Sequence, residues 1–386
     1  MLLKPALILM AALLTGCANT PTVPTPATIF QDALFKPPVQ AIDAADVFAF
    51  TPAMQDYLDR QVMPQLRSRG QRQGLIDALY TRGQLKLEYD TATTRNAAEA
   101  FEARSGNCLS LVIMTGAFAK QLGLPVRFQS VFVDEAWSRS GGMVFLSGHV
   151  NLSLGVAPRN AHGIAVGTDL LTVDFLPAES IRGQRVRVID EATIVAMYMN
   201  NRAAENLNEG QVDEAYWWAR EALQQDPKFT TAFNTLGVIY RRHGNSSAAE
   251  QALRHLLAQE PAHVQALSNL VLVLTDQRRL PEAAVLHAQL LQLQPVPPFK
   301  YFDDGVLAMK VGAYQEAKRL FEKEIARSAY FHEFYFGLAL ANFGLGDLPG
   351  ARKALTLAAE NSTTRDSHQL YAAKLAWLRA QRPSVH

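Results

Sequence analysis

Residues 230–261 read TTAFNTLGVIYRRHGNSSAAEQALRHLLAQEP, and this stretch contains the pattern that decides the fold of the second half of the chain. Gly237 and Ala249 lie twelve residues apart, and Pro261 follows after another twelve. The same spacing returns at a constant interval. The second position is alanine five times in succession, at Ala215, Ala249, Ala283, Ala317 and Ala351, and the first holds Ala203, Gly237, Val271, Gly305 and Ala339. A constant interval of this length predicts a solenoid of two-helix units.

Two further signals carry the same period. The turn between the two helices holds Gly210, Gly244, Gly312 and Gly346 in four units and Arg278 in the other, while Pro227, Pro261 and Pro295 close the first three units. This pattern resembles the tetratricopeptide repeat, in which small residues let the two helices of a unit touch. The resemblance implies five repeats over residues 196–365 and a capping helix with a tail over residues 366–386. It also implies a groove that binds a peptide or protein partner.

In such repeats, positions 2, 5, 9 and 12 of the first helix line the inner groove. These positions hold Thr231, Asn234, Val238 and Arg241 in repeat two, Phe299, Phe302, Val306 and Met309 in repeat four, and Glu333, Phe336, Leu340 and Phe343 in repeat five. The groove is therefore predicted to change from polar to apolar along its length. The candidate partner-binding residues are Asn234, Arg241, Phe299, Phe302, Phe336 and Phe343. Alternatively, these aromatic side chains pack between adjacent repeats.

Residues 1–17, MLLKPALILMAALLTGC, have the features of a secretory signal: one positive charge, an apolar run and small residues before a cysteine. The run from Leu14 to Cys17 resembles a bacterial lipobox, which implies lipidation of Cys17 and attachment to a membrane. Ala18, in place of aspartate, implies the outer membrane with the protein facing the periplasm. Residues 18–40, rich in proline and threonine, are predicted to be a tether.

Composition excludes several classes of protein. The chain carries 37 basic and 36 acidic residues, so no excess of charge favours nucleic acid as a partner. Cys17 and Cys108 are the two cysteines, too few for a zinc ribbon or a disulfide framework. The sequence has no glycine-rich phosphate loop and no paired histidines at helical spacing, so no cofactor and no metal are expected.

The first half of the chain has a mixed pattern. Thr51 and Pro52 are predicted to begin a helix that reaches roughly Arg67, and residues 74–80 form a second helix. A third helix follows Asn107 and ends near residues 123–125. The period then changes to two over residues 126–133, 149–154 and 170–175, which predicts three strands. Helices followed by antiparallel strands predict an α+β domain over residues 41–195.

Cys108, His149 and Asp174 follow one another in an order that suits acyl transfer. Cys108 is predicted to begin the third helix, His149 to begin the second strand, and Asp174 to lie near the end of the third. A thiol nucleophile needs an imidazole to hold and return the proton, and a carboxylate to orient the imidazole. The helix dipole would stabilise a thiolate at Cys108 by about 0.3 to 1 kcal/mol, and the backbone N–H of Cys108 could face a developing oxyanion.

These residues resemble the transglutaminase-like branch of the papain superfamily. Four blocks carry the resemblance, at residues 103–108 (ARSGNC), 122–127 (LGLPVR), 148–152 (GHVNL) and 173–175 (VDF). The family pattern implies Cys108, His149 and Asp174 as catalytic residues. Val150, Asn151 and Leu152 depart from the aromatic and acidic residues usual after the histidine. The family's upstream oxyanion donor has no clear match, and Tyr89 and Gln84 are weak candidates.

Each of these residues also has a purely structural interpretation. Cys108 could be a small buried core residue, His149 an ordinary strand histidine, and Asp174 the cap of a turn. His162, in a predicted hairpin turn, is the rival imidazole. Arg104 is expected to hold the loop before Cys108 rather than to contact substrate.

Together these features predict a lipid-anchored periplasmic protein. Its papain-like domain would hydrolyse an amide or transfer its acyl group, and its solenoid would bind a peptide or protein. The alternative is a non-catalytic assembly or scaffold lipoprotein that uses both domains for protein–protein interaction.

Overall fold

The computed structural model describes residues 29–80, 88–89, 93–132, 137–140, 143–146, 148–155, 170–175, 184–329, 331–362 and 365–380. The predicted lipobox, Gln84 and His162 lie outside these ranges. Among the described helices, none combines the length and the apolar character needed to cross a membrane.

Short helices build the first part of the α+β region. Thr51 caps α1 (Pro52–Tyr57) by accepting a hydrogen bond from the Met54 N–H at 3.3 Å, so the predicted helix start is confirmed. A π-helical turn (Leu58–Val62) continues the helix into α2 (Met63–Arg69), slightly beyond the predicted end. The remaining helices are α3 (Gln71–Tyr80), α4 (Ala97–Ala103) and α5 (Cys108–Gln121), with 3₁₀ turns at Asp32–Leu34 and Ala44–Phe48.

A four-stranded antiparallel sheet packs against α5. Its order is β7-β6-β3-β8, formed by β3 (Val126–Phe132), β6 (His149–Leu154), β7 (Leu171–Val173) and β8 (Arg185–Ile189). The three predicted strands are confirmed. Strand β8 was not predicted, although its Arg and Val residues alternate with a period of two; its first four residues are exposed. Two small pairs complete the strands: β1 (Glu88–Tyr89) with β2 (Ser105–Gly106), and β4 (Trp137–Ser140) with β5 (Met143–Leu146).

The second half consists of helix pairs, as predicted. Repeat one is formed by α6 (Glu191–Asn208) and α7 (Val212–Gln225), repeat two by α8 (Thr230–Arg242) and α9 (Ser246–Gln259), repeat three by α10 (Val264–Asp276) and α11 (Leu280–Leu293), repeat four by α12 (Lys300–Lys310) and α13 (Tyr314–Arg327), and repeat five by α14 (His332–Gly344) and α15 (Leu348–Glu360). A final helix, α16 (Arg365–Ala380), covers repeat five.

Residues 29–39, here called the docked segment, pack along α7 and the end of α8 although their composition predicted a tether. Phe35 stacks on Tyr216 with ring centroids 3.9 Å apart, and the Tyr240 hydroxyl donates to the carbonyl oxygen of Ile29 at 2.8 Å. Ile29 is completely buried. Apolar and aromatic side chains among the prolines provide enough buried surface to hold the segment in place.

One apolar core joins the α+β region to repeats one to three. It contains Phe118 of α5, Leu152 of β6, Ala203 of α6 and Leu253 of α9, and it ends in α11 at Ala283. Separate clusters begin at Phe299 and fill repeats four and five. Within the described part of the chain, no buried apolar cluster contains residues from both sides of the junction between repeats three and four.

Candidate functional site

Cys108 is the first residue of α5, and its half-buried side chain stands at the positive end of that helix. Asn107 caps the helix: its Oδ1 accepts from the N–H and the hydroxyl of Ser110, at 2.9 and 3.0 Å. The capping bonds leave the backbone N–H of Cys108 without an intrahelical partner, because the first four N–H groups of a helix have none. The local sequence therefore places the sulfur and the first N–H of α5 on the same residue.

The turn before Cys108 is tightly packed. A Cβ at Gly106 would lie 2.6 Å from the Cβ of Ser110, so a larger side chain would displace the helix start. Arg104 adopts a left-handed conformation, with φ of 52°, at the end of α4. Burial raises the pKa of Tyr57, and the charge of Arg104 offsets part of that rise. Arg104 thus lies near Tyr57, consistent with a role in holding the loop.

His149 and Asp174 meet on neighbouring strands and are almost completely buried. Nε2 of His149 lies 2.7 Å from Oδ1 of Asp174, and the two side chains are 4% and 8% exposed. The second oxygen of Asp174 accepts a hydrogen bond from Nδ2 of Asn151 at 2.7 Å. Asn151 is two residues beyond His149 on β6, so both side chains project from the same face of the strand. Both oxygens of the carboxylate therefore have a donor.

The imidazole links the carboxylate to the thiol. Cys108 is one of the groups that raise the pKa of His149, so the thiol lies close to the imidazole, and because Nε2 faces Asp174, Nδ1 is the nitrogen left for the sulfur. Burial lowers the pKa of His149, but the hydrogen bonds to Asp174 and Cys108 and their negative charges outweigh it and raise the pKa to about 9. The arrangement favours a protonated imidazole beside the sulfur at neutral pH.

Sequence reasoning overlooked two residues of this site. Asn151 appeared only as a departure from the family pattern, although its spacing from His149 was a signal that it shares the histidine's face. Thr94, in the loop before α4, is 2% exposed and accepts a hydrogen bond from Asn107 Nδ2 at 2.9 Å. A single threonine in a loop carries no motif, so the sequence offered no signal for it.

The other predicted site residues have varied positions. The backbone of Tyr89 pairs with that of Gly106, two residues before Cys108. Among the described residues, no group of three or more His, Cys, Asp or Glu side chains is arranged to hold a metal ion.

The candidate partner-binding residues divide into polar pairs and aromatic contacts. Asn234 accepts a hydrogen bond from Asn269 at 2.9 Å, and Arg241 is paired with Asp276 at 2.6 Å. Phe299 is buried, with its ring centroid 5.5 Å from that of Phe334. The other rings contact neighbouring helices: Phe302 lies against Phe334, Phe336 against Tyr371, and Phe343 against Trp377. These aromatic contacts correspond to the alternative of packing between adjacent helical units.

Comparison with known proteins identifies the repeats. A tetratricopeptide repeat family model matches residues 234–296 and 302–366, that is, repeats two to five. The chain is 28% identical over 115 residues to the TPR repeat-containing protein YvcD of Bacillus subtilis; this covers 30% of the chain and 24% of that relative.

Solved structures with a similar arrangement include Pseudomonas aeruginosa PilF, with 20% identity, coverage of 50% of this chain and 94% of that one, and a TM-score of 0.28. Yeast Tom70 is 16% identical, with 48% and 40% covered and a TM-score of 0.34. The family model by itself shows tetratricopeptide repeats in the carboxy-terminal half of the chain.

Proposed function

We propose that this protein is a membrane-anchored, cysteine-dependent amide hydrolase or acyl transferase whose repeats bind a peptide or protein. The observation that carries the proposal is the buried pair of His149 and Asp174, 2.7 Å apart, with Cys108 close enough to the imidazole to help raise its pKa. Tetratricopeptide repeats typically bind protein partners, which supports a peptide or protein as the ligand of the solenoid.

The chemistry follows from the positions of the three side chains. The Cys108 thiolate attacks the carbonyl carbon of an amide, and the negative charge moves to the carbonyl oxygen, which the backbone N–H of Cys108 would stabilise. The His149 imidazolium gives its proton to the leaving amine as the carbon–nitrogen bond breaks, which leaves a thioester on Cys108. Neutral His149 then takes a proton from water or from an acceptor amine as this attacks the thioester, and the carbon–sulfur bond breaks to release the Cys108 thiolate beside the restored imidazolium. Asp174, held by Asn151, keeps the ring oriented.

A second function, a non-catalytic scaffold, is favoured by the comparisons, because the family model covers repeats alone. In that case the Cys108 pocket would be a docking surface or a structural remnant. The two functions differ in one measurable property, the reactivity of Cys108.

The test uses the full chain with Cys17→Ser, in which Cys108 is the remaining thiol. Iodoacetamide should alkylate the folded protein at pH 7 roughly tenfold faster than the urea-unfolded chain, since a few per cent of ordinary thiols are ionised at that pH. His149→Ala should remove this advantage with little change in helix content. Equal rates for the folded and unfolded chains would contradict catalysis and favour the scaffold.

Hydrolysis and transfer are distinguished by the products. An activated acyl ester should give a burst of acyl-enzyme, and an added primary amine should appear in the product if transfer is the function. Release of free acid alone, at any amine concentration, would assign hydrolysis.

The membrane anchor rests on residues 14–17 and is part of the proposal. Mass spectrometry of the membrane fraction should find an acylated cysteine at residue 17 as the mature terminus. An unmodified terminus beyond residue 20 would contradict an anchor at this site.

A further inference from the structure

Thr94 connects the first repeat to the cap of the helix that begins with Cys108. Its hydroxyl oxygen accepts from Asn107 Nδ2 at 2.9 Å and from Asn201 Nδ2 of α6 at 3.2 Å. Its backbone N–H donates to Oε1 of Glu205, also on α6, at 2.7 Å. Thr94 is therefore held by two residues of repeat one, spaced one helical turn apart.

Both the oxygen and the nitrogen of the Asn107 amide are hydrogen-bonded in this arrangement. Its oxygen accepts from Ser110 and its nitrogen donates to Thr94. Without the Thr94 hydroxyl, the Asn107 side chain would be held only by Ser110, whereas with it the amide is held at both its oxygen and its nitrogen. Because Asn107 directly precedes Cys108, its rotamer also sets the direction in which the chain enters α5.

Glu205 has its own support within repeat one. Its second oxygen accepts from Nη1 of Arg202 at 2.8 Å, and the guanidinium of Arg202 lies over the Trp218 ring of α7 at 5.7 Å. A carboxylate supported in this way fixes the position of the Thr94 N–H. Three successive contacts, Glu205 to Thr94, Thr94 to Asn107 and Asn107 to the start of α5, thus join the solenoid to the thiol.

We propose that Glu205 is a positioning residue for the Cys108 nucleophile, acting through Thr94 and Asn107. The proposal rests on the proposed catalytic function and makes the first tetratricopeptide helix a structural part of the site. Nucleophilic attack is sensitive to displacements of about 1 Å, so the loss of this contact is expected to lower reactivity without unfolding the chain.

The experiment measures the iodoacetamide rate of Cys108 between pH 5 and 10 in the Cys17→Ser chain. Glu205→Ala should lower the rate at pH 7 by roughly tenfold. Glu205→Gln keeps a carbonyl oxygen for the Thr94 N–H and should stay within about twofold of the parent. Glu209→Ala, at the exposed carboxy-terminal cap of the same helix, is the matched control and should leave the rate unchanged.

A second pair of variants protects the test against a folding defect in Glu205→Ala. Thr94→Val removes the hydroxyl that Asn107 and Asn201 use and should lower the rate to the same degree, while Thr94→Ser should restore it. Glu205→Ala combined with Thr94→Val should be no slower than either change alone, because both interrupt one chain of contacts.

The outcomes separate this inference from the function on which it rests. If Glu205→Ala and Thr94→Val lower the melting temperature but leave the rate and its pH profile unchanged, the two residues are structural and the inference is wrong, while the proposed function stands. If the parent chain reacts no faster than its unfolded form, and His149→Ala changes nothing, both are wrong.

Discussion

Repeats two and three hold different residues at one position of the second helix, and their packing differs accordingly. Leu253 of repeat two is buried, as are Ala219 and Phe321, which occupy the equivalent positions of repeats one and four. His287 of repeat three, at the same position, is exposed. The repeat period thus continues through the junction while the core is interrupted there. Periodicity shows that units repeat, but the residue at each contact decides whether neighbouring units share a core.

Apolar side chains in repeats three and four are also more exposed than those of repeat two. Val285 of α11 is 69% exposed and Val311, just after α12, is 80% exposed, whereas α8 and α9 bury most of their apolar side chains. Repeats one to three and the α+β region are expected to unfold together. Repeats four and five, with α16, are expected to unfold as a separate unit.

The largest effect that tests this comparison is expected from Phe321→Ala. The Phe321 ring fills the space left by two glycines, since a Cβ at Gly305 or Gly337 would lie 2.7 or 2.8 Å from it. The substitution should destabilise repeats four and five by about 3 to 5 kcal/mol. Calorimetry should show the transition of that unit shifted to lower temperature, with the Cys108 labelling rate unchanged. A slower labelling rate would mean that destabilising repeats four and five also disturbs the site at Cys108, across the junction between repeats three and four.

Leu253→Ala should destabilise the unit formed by repeats one to three and the α+β region, and leave repeats four and five unaffected. Leu253 packs in the core shared with the α+β region, so its truncation should cost about 2 to 5 kcal/mol and lower the transition of that unit. Cys108 should become accessible to alkylation at a lower temperature than in the parent chain. If the temperature dependence of Cys108 alkylation is unchanged, repeat two does not unfold together with the site.

The titration of His149 should also be confined to the first unit. Since the folded-state pKa is raised to about 9 from 6.5, the folded state binds the extra proton, and the associated stability is complete below pH 6.5. It is lost as the pH rises through 9, and a shift of this size corresponds to roughly 3 kcal/mol. The pH dependence of the first transition should decrease in His149→Gln, and the transition of repeats four and five should not follow it.

Tyr216→Phe should release the docked segment at moderate cost. The Tyr216 hydroxyl accepts from the Gln31 N–H at 2.9 Å and donates to Asp32 at 2.5 Å, while Arg220 also holds Asp32 at 2.9 Å. Loss of these bonds should lower the stability of the first unit by about 1 to 3 kcal/mol. Proteolysis within residues 29–39 should become faster. If the rate of proteolysis is unchanged, the stacking of Phe35 on Tyr216 is sufficient to hold the docked segment.

The smallest effect is expected from His287→Ala. Because His287 is exposed, its truncation should change stability by less than about 0.5 kcal/mol, in contrast to Leu253→Ala at the equivalent position. Urea unfolding of both variants provides the comparison. A loss as large as that of Leu253→Ala would show that repeats three and four share a core in solution.

Local sequence signals predicted much of the fold. Thr51 and Pro52 begin a helix, and the strands over residues 126–132 and 149–154 follow their period of two, because these choices depend on neighbouring residues. Strand β8 was overlooked, although its Arg and Val residues alternate with the period of two that indicates a strand. For the candidate site, the order of Cys108, His149 and Asp174 suggested their proximity, whereas the donor to the second oxygen of Asp174 was not foreseen.

The sequence by itself determined the number of repeats, since small residues recur wherever two helices of a unit must touch. It also determined that a helix begins at Cys108, because Asn107 caps that helix by accepting from the N–H of Ser110, three positions away. Only the tertiary structure decided that Glu205 supports Thr94 across 111 residues of chain, and that residues 29–39 dock instead of extending. Caps and periods are short-range interactions that a few neighbours encode. Contacts between distant segments depend on which surfaces the finished helices bring together, and no local spacing records them.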